Sequence, residues 1–425
     1  MTGYHMVTHR DLKPILCCAL LAAALTAPAL AADDDALAHA NRLLSKTILV
    51  DGHNDLPIAI RGSQQAPGDV DAYDLRGPVP GQTDIARLRA GHVGAQFWSV
   101  YIPGELKSGY ARMQLEQIDI ARRMIAKYPD VFRLTGTVAE VRAAHRDGRI
   151  ASLLGIEGGY GLENSFGPLR AYYDLGVRYM TLTHNTHTDW ADSAMPDTPK
   201  FNGLSPFGEQ VVREMNRLGM LVDLSHTSAD TMRDALAVSK APVIFSHAAA
   251  RALVDISRNV PDDVIAQLPA NGGVLMVTFV AGFVSPEAAA VLFPAMKAFY
   301  ANSSQAKSAE ERRALYEDFK TKLVLPPVTV ADVADHIEHV VKVAGVDHVG
   351  LGGDFDGNDL WPEGLSDVSM YPNLFAELIR RGWSDRDLEK LAGGNVLRAM
   401  ERAEQVAREL QATTPAANSI SRGGT

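Results

Sequence analysis

Eight short apolar runs, separated for the most part by stretches of helical amphipathic periodicity, limit what this chain can fold into more than any other feature. The runs are 47–50, 94–100, 151–156, 179–183, 220–224, 242–246, 273–279 and 348–351. A helix between successive strands makes those strands parallel, because the chain must cross back before it can pair again. Runs such as Gly219-Met-Leu-Val-Asp-Leu-Ser225 and Pro242-Val-Ile-Phe-Ser246 are nearly continuous in apolar residues, as in strands covered on both faces. Eight such units in 425 residues predict a (β/α)8 TIM-type barrel. An open doubly wound sheet is the rival, but it gathers its polar residues at one switch point. Here they follow nearly every run.

Those polar residues are the second feature. The first run leads into His53 and Asp55, the third into Glu157, the fourth into His184, the fifth into His226, the sixth into His247 and the eighth into Asp354. All fall at the C-terminal strand ends, where barrel enzymes keep their active sites. Residues at i and i+2 leave a strand on one face, so His53 and Asp55 are expected side by side. Imidazoles with Asp and Glu but no cysteine make a donor set for Zn2+, with Mn2+ or Co2+ as substitutes. Five ligands, one a shared carboxylate, suffice for two ions that together activate a water for hydrolysis. The other nine of the thirteen histidines lie in the leader, in helices, in a loop or at the opposite strand ends. They are read as packed or solvated side chains.

Residues 281–328 are too many for a βα loop, and 286–300 and 309–321 have helical character. They are expected to form a helical insertion over the barrel mouth after the seventh run. At the start, Arg10 and Lys13 precede an uncharged stretch that closes with Ala29-Leu30-Ala31, the form of a secretory signal peptide over 1–31. The stretch is short for a membrane span. The expected organisation is therefore a barrel over 32–411, a disordered tail over 412–425, no integral membrane span after signal removal, and a secreted or periplasmic address. Both cysteines, Cys17 and Cys18, lie in the leader, so the mature chain has neither disulfides nor thiolate chemistry. Without Arg10, Lys13 and Asp11 it carries 39 basic and 50 acidic residues. That balance excludes nucleic acid and anionic membrane as partners, which need a basic face. A small peptide or other small molecule fits it.

Seven motifs in order, Asp51-Gly-His-Asn-Asp-Leu-Pro57, Gly155-Ile-Glu-Gly-Gly159, Leu182-Thr-His184, Asp223-Leu-Ser-His226, Phe245-Ser-His247, Arg258-Asn-Val-Pro-Asp262 and Gly352-Gly-Asp-Phe-Asp-Gly357, resemble the membrane dipeptidase (renal dipeptidase) family of zinc peptidases. The resemblance runs from about Leu44 to Met400. It implies a dipeptidase in which His53 and Asp55 hold one zinc, His226 and His247 the other, and Glu157 bridges the two. It further implies that His184 binds substrate and steadies the oxyanion, that Asp354 is the acid/base, and that Arg258 grips the substrate's C-terminal carboxylate. Tolerance of a C-terminal D-residue and a possible homodimer follow from the same resemblance. Where the family has a carboxylate-binding tyrosine after strand seven, this chain has Phe283, a loss of about 1 kcal/mol for one hydrogen bond. The alternative function is another metal-dependent amidohydrolase, a deacylase or lactonase, because one barrel and one metal site serve several chemistries.

Overall fold

The computed structural model describes residues 35–418 apart from 304 and 307; the expected signal peptide lies outside the described residues. Among the described residues there are nine parallel strands: β1 (Leu49–Asn54), β2 (Val93–Ser99), β3 (Phe132–Leu134), β4 (Ile150–Glu157), β5 (Val177–Thr181), β6 (Leu221–Asp223), β7 (Val243–Ala248), β8 (Val274–Val277) and β9 (Val349–Leu351). Eight of them close into the expected (β/α)8 barrel, in the order β1, β2, β4 to β9, and β9 returns to β1 through Asp51 and Leu351. The ninth, β3, was not expected. It pairs with residues 150–152 of β4, along the edge that is vacant until β5 joins at Leu154. Three residues are too few to show a period.

Neighbouring residues along each strand divide between two cores, as a pleat requires. Val50, Phe97, Leu153, Tyr179, Leu221 and Ile244 fill the barrel interior. Their neighbours Leu49, Trp98, Leu154, Met180, Val222 and Phe245 pack outward against the helices. Strands buried on both faces explain the continuous apolar runs. The closed, filled barrel holds every C-terminal strand end at one mouth.

After β8 the chain leaves the barrel through three helices, Ala281–Val284, Pro286–Ser303 and Ala309–Lys322. This is the expected insertion, and it roofs the mouth. It follows the eighth strand in sequence only because β3 adds one to the count. At the other end the tail expected to be unstructured from Ala412 stays docked further along. The last helix runs to Thr413, and Ala417 bonds through its N–H to Glu214 and through its carbonyl to Arg170. Glu214 is buried, and a buried carboxylate recruits every donor in reach. Among the described residues no helix is long and apolar enough to cross a membrane.

Candidate metal centre and active site

The first predicted ligand, His53, sits inside a strand rather than past its end. β1 continues to Asn54, so His53 is a strand residue, fully buried, and Asp55 begins the short helix Leu56–Arg61. Asp55 therefore has helix-start geometry, not the extended backbone of an i, i+2 strand pair, yet its Oδ2 still lies 3.2 Å from His53 Nε2. Glu157 is the last residue of β4, His247 lies within β7, and His184, His226 and Asp354 follow β5, β6 and β9 by three residues each. His226 and Asp354 take left-handed backbone, φ 63° and 64°, a strained conformation that turns each side chain back over the mouth.

All these side chains converge. Glu157 Oε1 lies 2.9 Å from His226 Nε2, 3.3 Å from His247 Nε2 and 3.8 Å from His184 Nε2, while Oε2 is 3.6 Å from His53 Nε2. Asp354 Oδ1 is 4.0 Å from His53 Nε2. His247 stands between the two halves, its Nε2 2.9 Å from that of His226 and its ring 3.8 Å from that of His53.

Each of three rings is held by its outer nitrogen. His53 Nδ1 meets the Tyr179 hydroxyl at 2.8 Å, which itself donates to the Gly52 carbonyl. His247 Nδ1 meets Ser246 Oγ at 2.8 Å, and that hydroxyl donates to Asp223 Oδ2 at 2.6 Å. His226 Nδ1 meets Asn185 Oδ1 at 3.2 Å. With each hydroxyl proton already committed, and an amide oxygen at the third, the network assigns the proton of every ring to Nδ1. The three Nε2 atoms therefore face one another and Glu157, and those of His226 and His247 are bare lone pairs.

Lone pairs in such contact repel unless a cation lies among them. His53 Nε2 and Asp55 Oδ1 are also buried without a hydrogen-bond partner. Burial, with Arg258 and neighbouring histidines acting in the same direction, holds His226 and His247 well below the ordinary imidazole value and so neutral. Burial alone would raise Glu157, but His53, His184 and the bonds to His226 and His247 outweigh it and keep it ionised. His53 is the exception: burial would lower it, but Tyr179, Asp55 and Glu157 outweigh burial and raise it well above the ordinary imidazole value, a proton that a bound cation would displace. Neutral imidazoles and ionised carboxylates are the forms that bind metal. The residues fit a divalent metal ion. Three groupings of donors lie within 4.8 Å of one another: His53, Glu157 and His247; Glu157, His184 and His226; His53, Asp55 and Asp354.

Beside the donors lies Arg258, 1% exposed. Its Nη2 donates to the His247 carbonyl at 2.9 Å, but Nε and Nη1 have no partner. Burial lowers its pKa to about 10, so it remains a cation at neutral pH. Phe283 faces it, the ring centre 5.4 Å from Cζ. Asp354 is pushed well above the usual carboxylate range by burial, opposed by His53 and Arg258 and reinforced by Asp55 and Glu157. A cavity of about 380 Å³ opens above these groups, lined by seven of the eight predicted site residues. The eighth, His53, lies buried among them.

Sequence reasoning missed the supports. Asp223 accepts four hydrogen bonds, from Thr181, Ser225 and twice from Ser246. A carboxylate inside an otherwise apolar strand was the signal for it. Tyr179 looks like an ordinary aromatic strand residue in sequence. It reaches His53 because Gly155 leaves room on the next strand; a Cβ at Gly155 would overlap the Tyr179 ring.

The profile of the membrane dipeptidase family (peptidase family M19) matches residues 37–414. The chain belongs to the membrane dipeptidase family. It is 41% identical over 391 residues to dipeptidase verJ of Clonostachys rogersoniana, covering 89% of this chain and 90% of that one. The structure of the probable dipeptidase PvdM from Pseudomonas aeruginosa superposes with TM-score 0.76 at 27% identity, covering 88% of this chain and all of that one. A metallo peptidase from Rhodobacter sphaeroides, liganded with a phosphinate mimic of the dipeptide L-Ala-D-Ala, shares the fold with TM-score 0.69 at 24% identity, over 84% and 99% of the two chains. As a member of the membrane dipeptidase family this chain is a hydrolase and a dipeptidase, and its convergent His, Asp and Glu donors are those of a metallopeptidase.

Proposed function

We propose that this chain is a di-zinc dipeptidase that cleaves dipeptides bearing a free C-terminal carboxylate, tolerates a D-residue at that end, and acts in the periplasm or outside the cell after losing its leader. The observation that carries the reading is Arg258. A buried guanidinium with two unpartnered donor nitrogens is costly unless an anion meets it, and its fork matches a carboxylate in two-point geometry. A carboxylate held there limits substrates to short peptides whose scissile bond falls one residue away, over the metal donors.

In this reading His53 and Asp55 hold one zinc, His226 and His247 the other, and Glu157 bridges them; its two oxygens already face the two sides. Zinc in such a pair lowers the pKa of a water towards neutrality and polarises a carbonyl. The chain's own groups do the rest. Arg258 fixes the substrate, Asp354 accepts the proton of the attacking water and passes it to the departing amine, and His184 donates a hydrogen bond to the developing oxyanion. The ligand in the Rhodobacter sphaeroides structure belongs to that protein and serves here to choose a substrate.

The test is amino-acid release by the zinc-loaded mature chain from L-Ala-L-Ala, L-Ala-D-Ala and the C-terminal amide of each. The expected result is chelator-sensitive cleavage of both acids, neither amide, and two zinc ions per chain by elemental analysis. Equal cleavage of acids and amides would remove the carboxylate clamp and turn the reading towards a general deacylase. Failure to cleave any dipeptide overturns it. An N-terminus near Ala32 on protein recovered from outside the cytoplasm tests the address.

A further inference from the structure

The insertion does more than cover the mouth, because its apolar side chains form one wall of the cavity. We propose that this wall makes the enzyme selective for dipeptides whose C-terminal residue is bulky and apolar, with Phe283 and Phe293 as the residues that select it. The inference rests on the carboxylate clamp proposed above.

Leu292, Met296 and Phe299, at i, i+4 and i+7 of the helix Pro286–Ser303, line the cavity together with Phe293, and Phe319 of the next helix joins them. That helix is apolar round most of its circumference. Ala288 and Ala289 are buried, whereas Phe293, Met296 and Phe299 are only half-buried and line the cavity. Charged groups on the same wall are already engaged: Lys320 Nζ lies 2.7 Å from Asp359, which also accepts from the Tyr316 hydroxyl at 3.1 Å. A polar substrate side chain placed against this wall would give up its hydration for no new partner. An apolar one gains burial.

The clamp decides which substrate residue meets the wall. Phe283 lies over Arg258 at 5.4 Å and stacks on Phe293 with ring centres 6.1 Å apart and planes within 21°. A carboxylate on Arg258 has its α-carbon one bond away, so the side chain on that carbon starts beside Phe283 and extends towards Phe293. Each methylene buried there is worth about fourfold in binding.

The experiment compares kcat/KM for Ala-Gly, Ala-Leu, Ala-Phe and Ala-Lys on the zinc-loaded chain, its Phe293→Ala variant and its Phe293→Asp variant. For the unaltered chain Ala-Phe is expected to exceed Ala-Gly by about tenfold or more. Phe293→Ala should reduce that ratio by about tenfold, and Phe293→Asp should raise Ala-Lys relative to Ala-Phe. A gain on one substrate is an outcome that a folding defect does not produce. Wild-type ratios near one, or variants that lower all four substrates in proportion, would overturn the inference. Loss of every dipeptide activity in the unaltered chain would overturn the dipeptidase reading beneath it instead.

Discussion

The floor and the roof of the active-site cavity are built on opposite principles. On the floor three donor rings are each anchored from behind: His53 by Tyr179, His247 by Ser246 and through it Asp223, and His226 by Asn185, with His53, His247 and Asp223 at most 1% exposed. The roof is the three-helix insertion, with half-buried aromatic rings. Its ties include Lys320 and Tyr316 to Asp359, and Asn259 to the Phe283 carbonyl. Three large apolar side chains of the insertion, Val291, Tyr316 and Val324, are exposed at 39%, 37% and 79%. Reacting atoms must be placed to a fraction of an ångström, whereas an apolar wall works through area and tolerates looseness. Chemistry and substrate preference are therefore separable by mutation.

The largest expected effect lies at the centre of the floor. Glu157→Gln should lower kcat by about 10³-fold or more and reduce bound zinc in elemental analysis, since the amide supplies neither the charge nor the second anionic oxygen. Retention of full zinc and activity would remove Glu157 from the site. Arg258→Ala comes next. Losing a buried charge partner costs about 2–5 kcal/mol, a fall of about 30- to 5,000-fold in kcat/KM for free acids. Steady-state kinetics on the acid and its amide would show the difference between them vanish.

At the root of the roof, burial pulls His336 down to about 4, where its Nδ1 accepts from the Ala250 N–H at 3.0 Å. The unfolded chain protonates this group near pH 6.5. Stability is thus intact above about 6.5 and falls as pH drops towards 4, by about 3 kcal/mol. Thermal unfolding between pH 4 and 7 should decline less steeply in His336→Asn. Asp223→Asn is expected to be milder. It replaces an acceptor with a donor, reverses the Ser246 hydroxyl against the His247 proton, and should weaken zinc binding by about 10- to 100-fold in chelator competition. Smallest is Asp359→Ala, which frees one tie of the roof. A part-exposed ion pair is worth about 0.2–1 kcal/mol, so KM should change a few-fold with the melting temperature nearly unmoved. A loss of kcat on the scale of Glu157→Gln would show that roof and floor are one unit after all.

Much of the floor was legible in the sequence. Strand periodicity placed His53, Glu157, His184, His226, His247 and Asp354 at one mouth, because a parallel barrel leaves no other place for C-terminal strand ends. Arg258 was not legible from pattern. It lies in a loop with no period, and only its motif resemblance marked it. β3 was too short to register, and the Asp55 backbone departed from the strand geometry expected of it because a helix starts there. Tyr179 was invisible as a support, since a hydrogen-bond partner distant in sequence has no local signature, and Asp223 was marked only as a carboxylate in an apolar strand. The roof was legible as excess length and helical character, but which faces line the cavity depended on packing that no single helix specifies.

The contact of Tyr179 with Gly155 ties the barrel interior to the chemistry above it. One phenol ring both fills the interior and orients His53, and it fits only because the adjoining strand carries no side chain at that point. For heredity, positions 155 and 179 are a single character written in two places. A descendant that gains a methyl group at the first must surrender the ring at the second and find another anchor for His53, so single-step drift is closed along this path while paired change remains open.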